Sequence, residues 1–318
     1  MDLLRGGAIL LVLLWHAPAI PALYGYTVPD WVLAANDALL PFRMPALMFL
    51  SGLLLPRSLA KPLRDYLTGK VSLLVWPYLL FAGLHMALYG PTGPVWHPYT
   101  WIATGYLWFL FNIACYYFAA PMLRWLPAWV VPILAFAAAV PTDGRTQRFF
   151  YFAGFFFAGA LVARHHGVLE AALRRRWLVV ICGVAAVVLG AVSAVRDVEH
   201  QAAWAPLSLA GIVVAIAAAQ RLQDAAWTRP VQSVGRASIV YYTSHFPVMI
   251  VSLAVCEAVG IDDIGAFAWI GLAAAVAIGA LLAHHRTRRP VVWLYEAPFL
   301  PRRRTPGPVR VHAPAAAS

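Results

Sequence analysis

The chain has 318 residues, of which 62% are hydrophobic and 12% charged, and its net charge is +11. Soluble domains carry about 25% charged residues, so this composition excludes a soluble globular protein. The apolar stretches are long and continuous rather than alternating, which selects membrane helices over a barrel. Nucleic acid is not an expected partner, because the basic residues lie in short loops where topology accounts for them.

The expected fold is all-α, a polytopic membrane helix bundle of about ten spans occupying 1–300, followed by a disordered basic tail at 301–318. The spans are placed near 6–24, 37–55, 71–90, 104–123, 126–140, 149–163, 177–195, 202–220, 238–258 and 265–283. Those at 126–140 and 149–163 fall short of the roughly 20 residues a spanning helix needs. With the N-terminus inside, 20 of the 24 Lys and Arg fall on inside segments. That bias predicts both termini in the cytoplasm. Trp76, Trp101, Trp125, Trp177 and Trp293 stand where spans meet flanking charges, as in an interfacial aromatic belt. Tail and loop charges would meet membrane lipids. Cys115, Cys182 and Cys256 each lie within an apolar stretch and far apart, so neither a disulfide framework nor a metal site is expected. The first span could pass for a signal peptide, but no polar domain follows it and similar spans recur to 283.

The first span carries Asp2, Arg5 and His16. Arg5 and His16 are 11 residues apart, about three helical turns, so both leave one face roughly 16 Å apart along the axis. Ionisable groups within a membrane helix normally face an interior or a wet cavity. Imidazole suits a general base because it titrates near neutrality; the alternative is a packing histidine bonded to a carbonyl. Arg5 reads as an anion-binding group or as a topology charge, with Asp2 able to pair with it across one turn. Pro18 and Pro21 would free backbone carbonyls near the histidine.

In the second span Arg43 lies well inside an apolar run, which requires a cavity or a partner. Asp37 is the nearest acid, reached through an unwound turn before Pro45. Ser51-Gly52 reads as a pair of small residues for close helix approach. The following inside loop holds Arg57, Lys61, Arg64 and Lys70, suited to topology or to the phosphates of a nucleotide cofactor. Tyr106 to Leu110 reads as a packing and interface motif. The late stretch holds Gly235, Ser238, Tyr241 and His245, with His245 buried in its span. Phosphate-binding glycine loops, metalloprotease motifs and nucleophile elbows do not occur.

Together these segments resemble the membrane-bound acyltransferase family 3, over residues 1 to about 299. Asp2-x-x-Arg5-Gly6 with His16, Met44-Pro45 through Ser51-Gly52, Lys70 with Pro77-Tyr78, Leu107-Trp108-Phe109-Leu110, and Gly235-x-x-Ser238 with Tyr241 and His245 come in family order. The chain departs from the family where Arg64 and Lys70 stand for an Arg-x-x-Arg pair and where Arg43 stands for a frequent His.

The resemblance implies an enzyme of the bacterial cytoplasmic membrane. It would move an acyl group, usually acetyl, from cytosolic acyl-CoA to a hydroxyl of a carbohydrate or glycoside, with no metal. It implies His16 as catalytic base and Arg5 as its essential partner. Arg57, Arg64 and Lys70 would contact the cofactor, while Arg43, Asp37 and His245 would meet the acceptor, supported by Asp2, Ser51 and Tyr241. The competing reading is a proton-coupled transporter or flippase of a glycolipid or small molecule, which buried His and Arg would also suit. The paired broken helices and inverted repeats common in such folds are not evident in the sequence.

Overall fold

The computed structural model of the protein describes residues 1–196 and 198–300. The tail expected at 301–318 lies outside the described residues. Among those, every regular element is helical. In chain order they are α1 (Asp2–Leu23), α2 (Asp30–Gly52), α3 (Leu55–Leu59), α4 (Leu63–Lys70), a π-helical turn (Val71–Val75), α5 (Trp76–Tyr89), α6 (Trp108–Leu123), α7 (Val130–Ala139) and α8 (Gly144–Arg164). Then come α9 (His166–Arg174), α10 (Arg176–Ser193), α11 (Ala205–Leu222), α12 (Arg229–Arg236), α13 (Ser238–Ala258), α14 (Ile264–His284) and α15 (Val292–Tyr295). Short 3₁₀ turns cover Pro98–Trp101, Gly105–Leu107, Ala202–Trp204 and Ala226–Thr228.

Eight helical segments among the described residues are long and apolar enough to cross a membrane. The two short spans account for the difference from the ten expected. The one near 126–140 is α7, whose 10 residues rise only about 15 Å, half a hydrocarbon core. The one near 149–163 extends to the 21 residues of α8, but its first turn is polar, with Arg145 and Arg148. It reaches the required hydropathy only together with α9, from which it turns by 92°. α7 and α8 form a hairpin, and Phe136 fills the space that the missing side chain of Gly154 leaves.

Helix α1 is central, touching α2, α11, α12, α13 and α14. Its contact with α12 is backbone on backbone. A Cβ on Gly6 would lie 1.9 Å from the Val231 carbonyl oxygen, and one on Gly235 would lie 1.9 Å from the Asp2 carbonyl oxygen. These two glycines therefore set the position of Arg5, next to Gly6. Gly52 and Gly159 do the same for the crossing of α2 and α8, against the carbonyls of Phe156 and Phe49. This is the close approach expected of Ser51-Gly52.

Proline removes the backbone donor that would serve the carbonyl four residues earlier, and in lipid that carbonyl needs another partner. Three such carbonyls are served by hydroxyls from neighbouring elements. Pro41 strands the Asp37 carbonyl, and the Ser193 hydroxyl donates to it at 2.6 Å. Pro121 strands that of Tyr117, and the Tyr66 hydroxyl donates at 2.6 Å. Pro247 strands that of Thr243, and the Tyr106 hydroxyl donates at 2.6 Å. These bonds tie α2 to α10, α6 to α4, and α13 to the turn before α6. They satisfy backbone acceptors of helices that line the interior.

Candidate active site

The walls of the site come from α1, α2, α6, α8 and α13. A cavity of about 160 Å³ lies at the level of His16, lined also by Arg43, Met44, Tyr106, Trp108 and Arg148 among others. It widens toward the end of the bundle that holds Glu199, where Trp15, Leu40, Val198 and Glu199 also line a larger vestibule with Asn36, Asp37 and Arg196. A second cavity of about 280 Å³ opens at the other end. Arg5, Ser51, Lys61, Lys70 and Ser238 are among its walls.

Tyr242 lines both cavities. Adjacent layers of each helix divide between them: Ile9 and Val12 on α1, Leu47 and Met44 on α2, Phe109 and Trp108 on α6. The Tyr242 hydroxyl donates to the Tyr106 carbonyl, which holds the ring across the junction. The three-turn stripe from Arg5 to His16 thus runs from one cavity to the other.

His16 Nδ1 lies 2.9 Å from the Val12 carbonyl oxygen. A carbonyl only accepts, so Nδ1 carries the hydrogen and Nε2 keeps its lone pair. Behind His16 stands His245, fully buried. Its Nδ1 donates to the Tyr242 carbonyl at 2.6 Å, while its Nε2 is buried with no hydrogen-bond partner. The Tyr106 and Phe246 rings stack at 4.6 Å and enclose this pair. His245 is therefore a neighbour of His16 rather than a lining residue.

Arg43 is buried in the wall of the His16 cavity. α2 runs unbroken past Pro41 and Pro45, so no unwound turn brings Asp37 to Arg43. Its direct partner is Asn36, two turns earlier on the same face. The guanidinium donates to Asn36 Oδ1 at 2.9 Å, and Asn36 Nδ2 donates to Asp37 Oδ1 at 3.0 Å. Asp37 itself lines the vestibule.

In the basic cavity the Lys70 ammonium stands 3.2 Å from the centre of the Tyr117 ring, a cation–π contact. The π-helical turn that follows directly at Val71–Val75 sets this side chain among the lining groups. Arg57 and Arg64 are exposed and do not line this cavity; Lys61 does. The first-turn pairing of Asp2 with Arg5 is not among the ion pairs of the described residues. Ser51 donates to the Leu47 carbonyl at 2.8 Å and lines the basic cavity. Tyr241 packs over Gly279 on α14, away from the cavities.

Tyr242, Asn36, Tyr106, Trp108 and Arg148 are lining or bonding groups that the sequence does not mark as site residues. Tyr242 lies three residues before His245 and four after Ser238, but Tyr241 is as close in phase to both, so the spacing does not single it out. Arg148 stacks its guanidinium over Trp108 at 4.6 Å, and no local pattern marks that pairing. Among the described residues no three His, Cys, Asp or Glu side chains gather to hold a metal ion.

An all-helical bundle with ionisable side chains facing internal cavities defines a multi-pass membrane protein with a polar site between its helices. A family model described as an acyltransferase domain, that of acyltransferase family 3, matches residues 1–284, and the chain belongs to this family. It is a membrane acyltransferase. No curated protein and no solved structure matches it.

Proposed function

We propose that the protein transfers an acyl group, acetyl in the first instance, from acyl-CoA on the cytoplasmic face to a carbohydrate hydroxyl reached from the opposite face. The observation that carries this reading is the pair of cavities meeting at Tyr242, one basic and one containing His16. The basic end is the cytoplasmic end by charge bias, in a bacterial cytoplasmic membrane. Arg5, Lys61 and Lys70 suit the phosphates of a CoA donor. The thin pantetheine arm would run along α1 and bring its thioester to Tyr242.

The acceptor would enter the His16 cavity, where Trp15, Trp108 and Tyr151 offer flat faces to the C–H faces of a sugar ring. Arg43 and Arg148 offer donors to its oxygens. His16 Nε2 takes the hydroxyl proton as oxygen attacks the thioester carbonyl. The C–O bond forms, the C–S bond breaks, and His16 returns the proton to the departing thiolate. The products are an ester and free CoA thiol. General-base help of this kind contributes about 10² to 10⁴ in rate. The small size of the His16 cavity favours a short acyl group.

The test is CoA thiol release from acetyl-CoA by purified protein supplied with a mixture of water-soluble and lipid-linked glycosides. Acceptor-dependent thiol release is expected. Intact acetyl-CoA, combined with movement of a glycoside across proteoliposomes, would instead establish a transporter.

A further inference from the structure

The His16 cavity has a lateral neighbour. Between α1, α2 and α14 lies a groove of about 330 Å³ whose walls are apolar, among them Leu14, Leu39 and Leu272. It faces away from the bundle core, for Leu14, Ala35 and Leu39 are exposed. In a membrane protein that face meets lipid. Trp31 and Trp269 line it toward the end opposite Arg5 and are 74% and 69% exposed, as interfacial anchors are.

Two residues line both this groove and the His16 cavity: Trp15 and Arg43. The groove thus adjoins the site, and the wall they share carries a cation. A guanidinium has five donors, and the Asn36 amide oxygen receives one of them. A fixed positive charge at the inner end of an apolar slot is wasteful if only lipid tails fill the slot. It is well placed if the occupant has an anion between a chain and a polar head.

We infer that the acceptor is an amphiphile rather than a water-soluble glycoside. Its apolar chain lies in the groove between α1, α2 and α14. A phosphate linking chain to sugar sits at Arg43, and the sugar passes Trp15 into the His16 cavity. This rests on the acyltransferase reading above and names the acceptor class for the same site. Bulk lipid would need the apolar walls alone. A soluble sugar would need neither the walls nor an opening toward lipid.

The experiment uses the full chain in phosphatidylcholine nanodiscs. Two photoreactive probes are compared, dodecyl phosphate and dodecanol, each with a diazirine at the chain end, and adducts are located by mass spectrometry. The phosphate probe should label groove residues about tenfold more than the lipid-facing side of α10. The alcohol should label both alike. Arg43→Leu should lower groove labelling by the phosphate probe about fivefold, and Ala35→Trp, which adds a ring at an exposed position, should do the same if Arg43→Leu fails to fold.

Equal labelling of groove and α10 by the phosphate probe would overturn the inference, as would groove labelling that survives both variants. Displacement of the probe by equimolar inorganic phosphate would overturn the chain-binding part, leaving a plain anion site. Labelling requires no turnover. Intact labelling with no thiol release from acetyl-CoA would therefore remove the acyltransferase reading and leave the amphiphile site standing.

Discussion

The imidazole rings of His16 and His245 meet edge-on, their centroids 4.9 Å apart and their planes at 63°. Both rings are held through Nδ1 by carbonyls of their own helices, so both present Nε2 as a lone pair. His245 does not line the cavity. In the proposed reaction it supports His16 from behind, its edge-on ring holding the imidazole in place. His245→Ala should lower kcat about tenfold, ~1.4 kcal/mol in the barrier, with KM for acyl-CoA unchanged. Steady-state kinetics at saturating acceptor read this. A rise in KM alone would place His245 on the donor path instead.

The basic cavity separates one pair of cations from another. Lys61 and Lys70 line it, whereas Arg57 and Arg64 are exposed outside it. The double variant Lys61→Ala/Lys70→Ala should raise KM for acyl-CoA about tenfold. Arg57→Ala/Arg64→Ala should change it less than about twofold, as screened surface charges do. The reverse ranking would move the phosphate site to the rim.

At the junction, Tyr242 lines both cavities, with its hydroxyl fixed on the Tyr106 carbonyl. Tyr242→Ala should widen the passage between them and admit water. Acceptor-independent hydrolysis of acyl-CoA should then rise relative to transfer, measured as thiol released per ester formed. An unchanged ratio would mean that the two cavities do not communicate there.

The stranded carbonyl of Asp37 gives a prediction about stability alone. Ser193→Ala removes its donor and should cost about 1–3 kcal/mol, the penalty of a buried unsatisfied acceptor, seen as a lower Tm in detergent. Pro41→Ala restores a backbone N–H at the position that serves Asp37. The double variant should therefore recover part of the loss. Strict additivity of the two changes would show that Ser193 acts by packing.

Much of this architecture was legible in the chain. Hydropathy placed the long helices, and the 11-residue spacing put Arg5 and His16 on one face. Arg43 within an apolar run pointed to a cavity wall, where it lies. What stayed hidden was pairing between distant segments. The prolines foretold freed carbonyls, but nothing local says that Ser193, Tyr66 and Tyr106 would serve them. Asp37 was the nearest acid in sequence, yet on an unbroken helix the two-turn spacing brings Asn36 to Arg43 instead. Tyr241 and Tyr242 are indistinguishable by composition. They also stand equally close in helical phase to Ser238 and His245, and only the packing of α13 sends one to Gly279 and the other to the cavities. The polar first turn of α8 hid a 21-residue helix behind a shorter apolar stretch.

The proposed transfer depends most directly on His16. The measurement is acceptor-dependent CoA thiol release by wild-type protein and His16→Ala, prepared in parallel and matched for yield and Tm. The predicted result is a loss of about 10² or more in turnover with the fold intact. Near wild-type turnover in His16→Ala would contradict the account, because the lone pair of His16 Nε2 is the base on which the transfer depends.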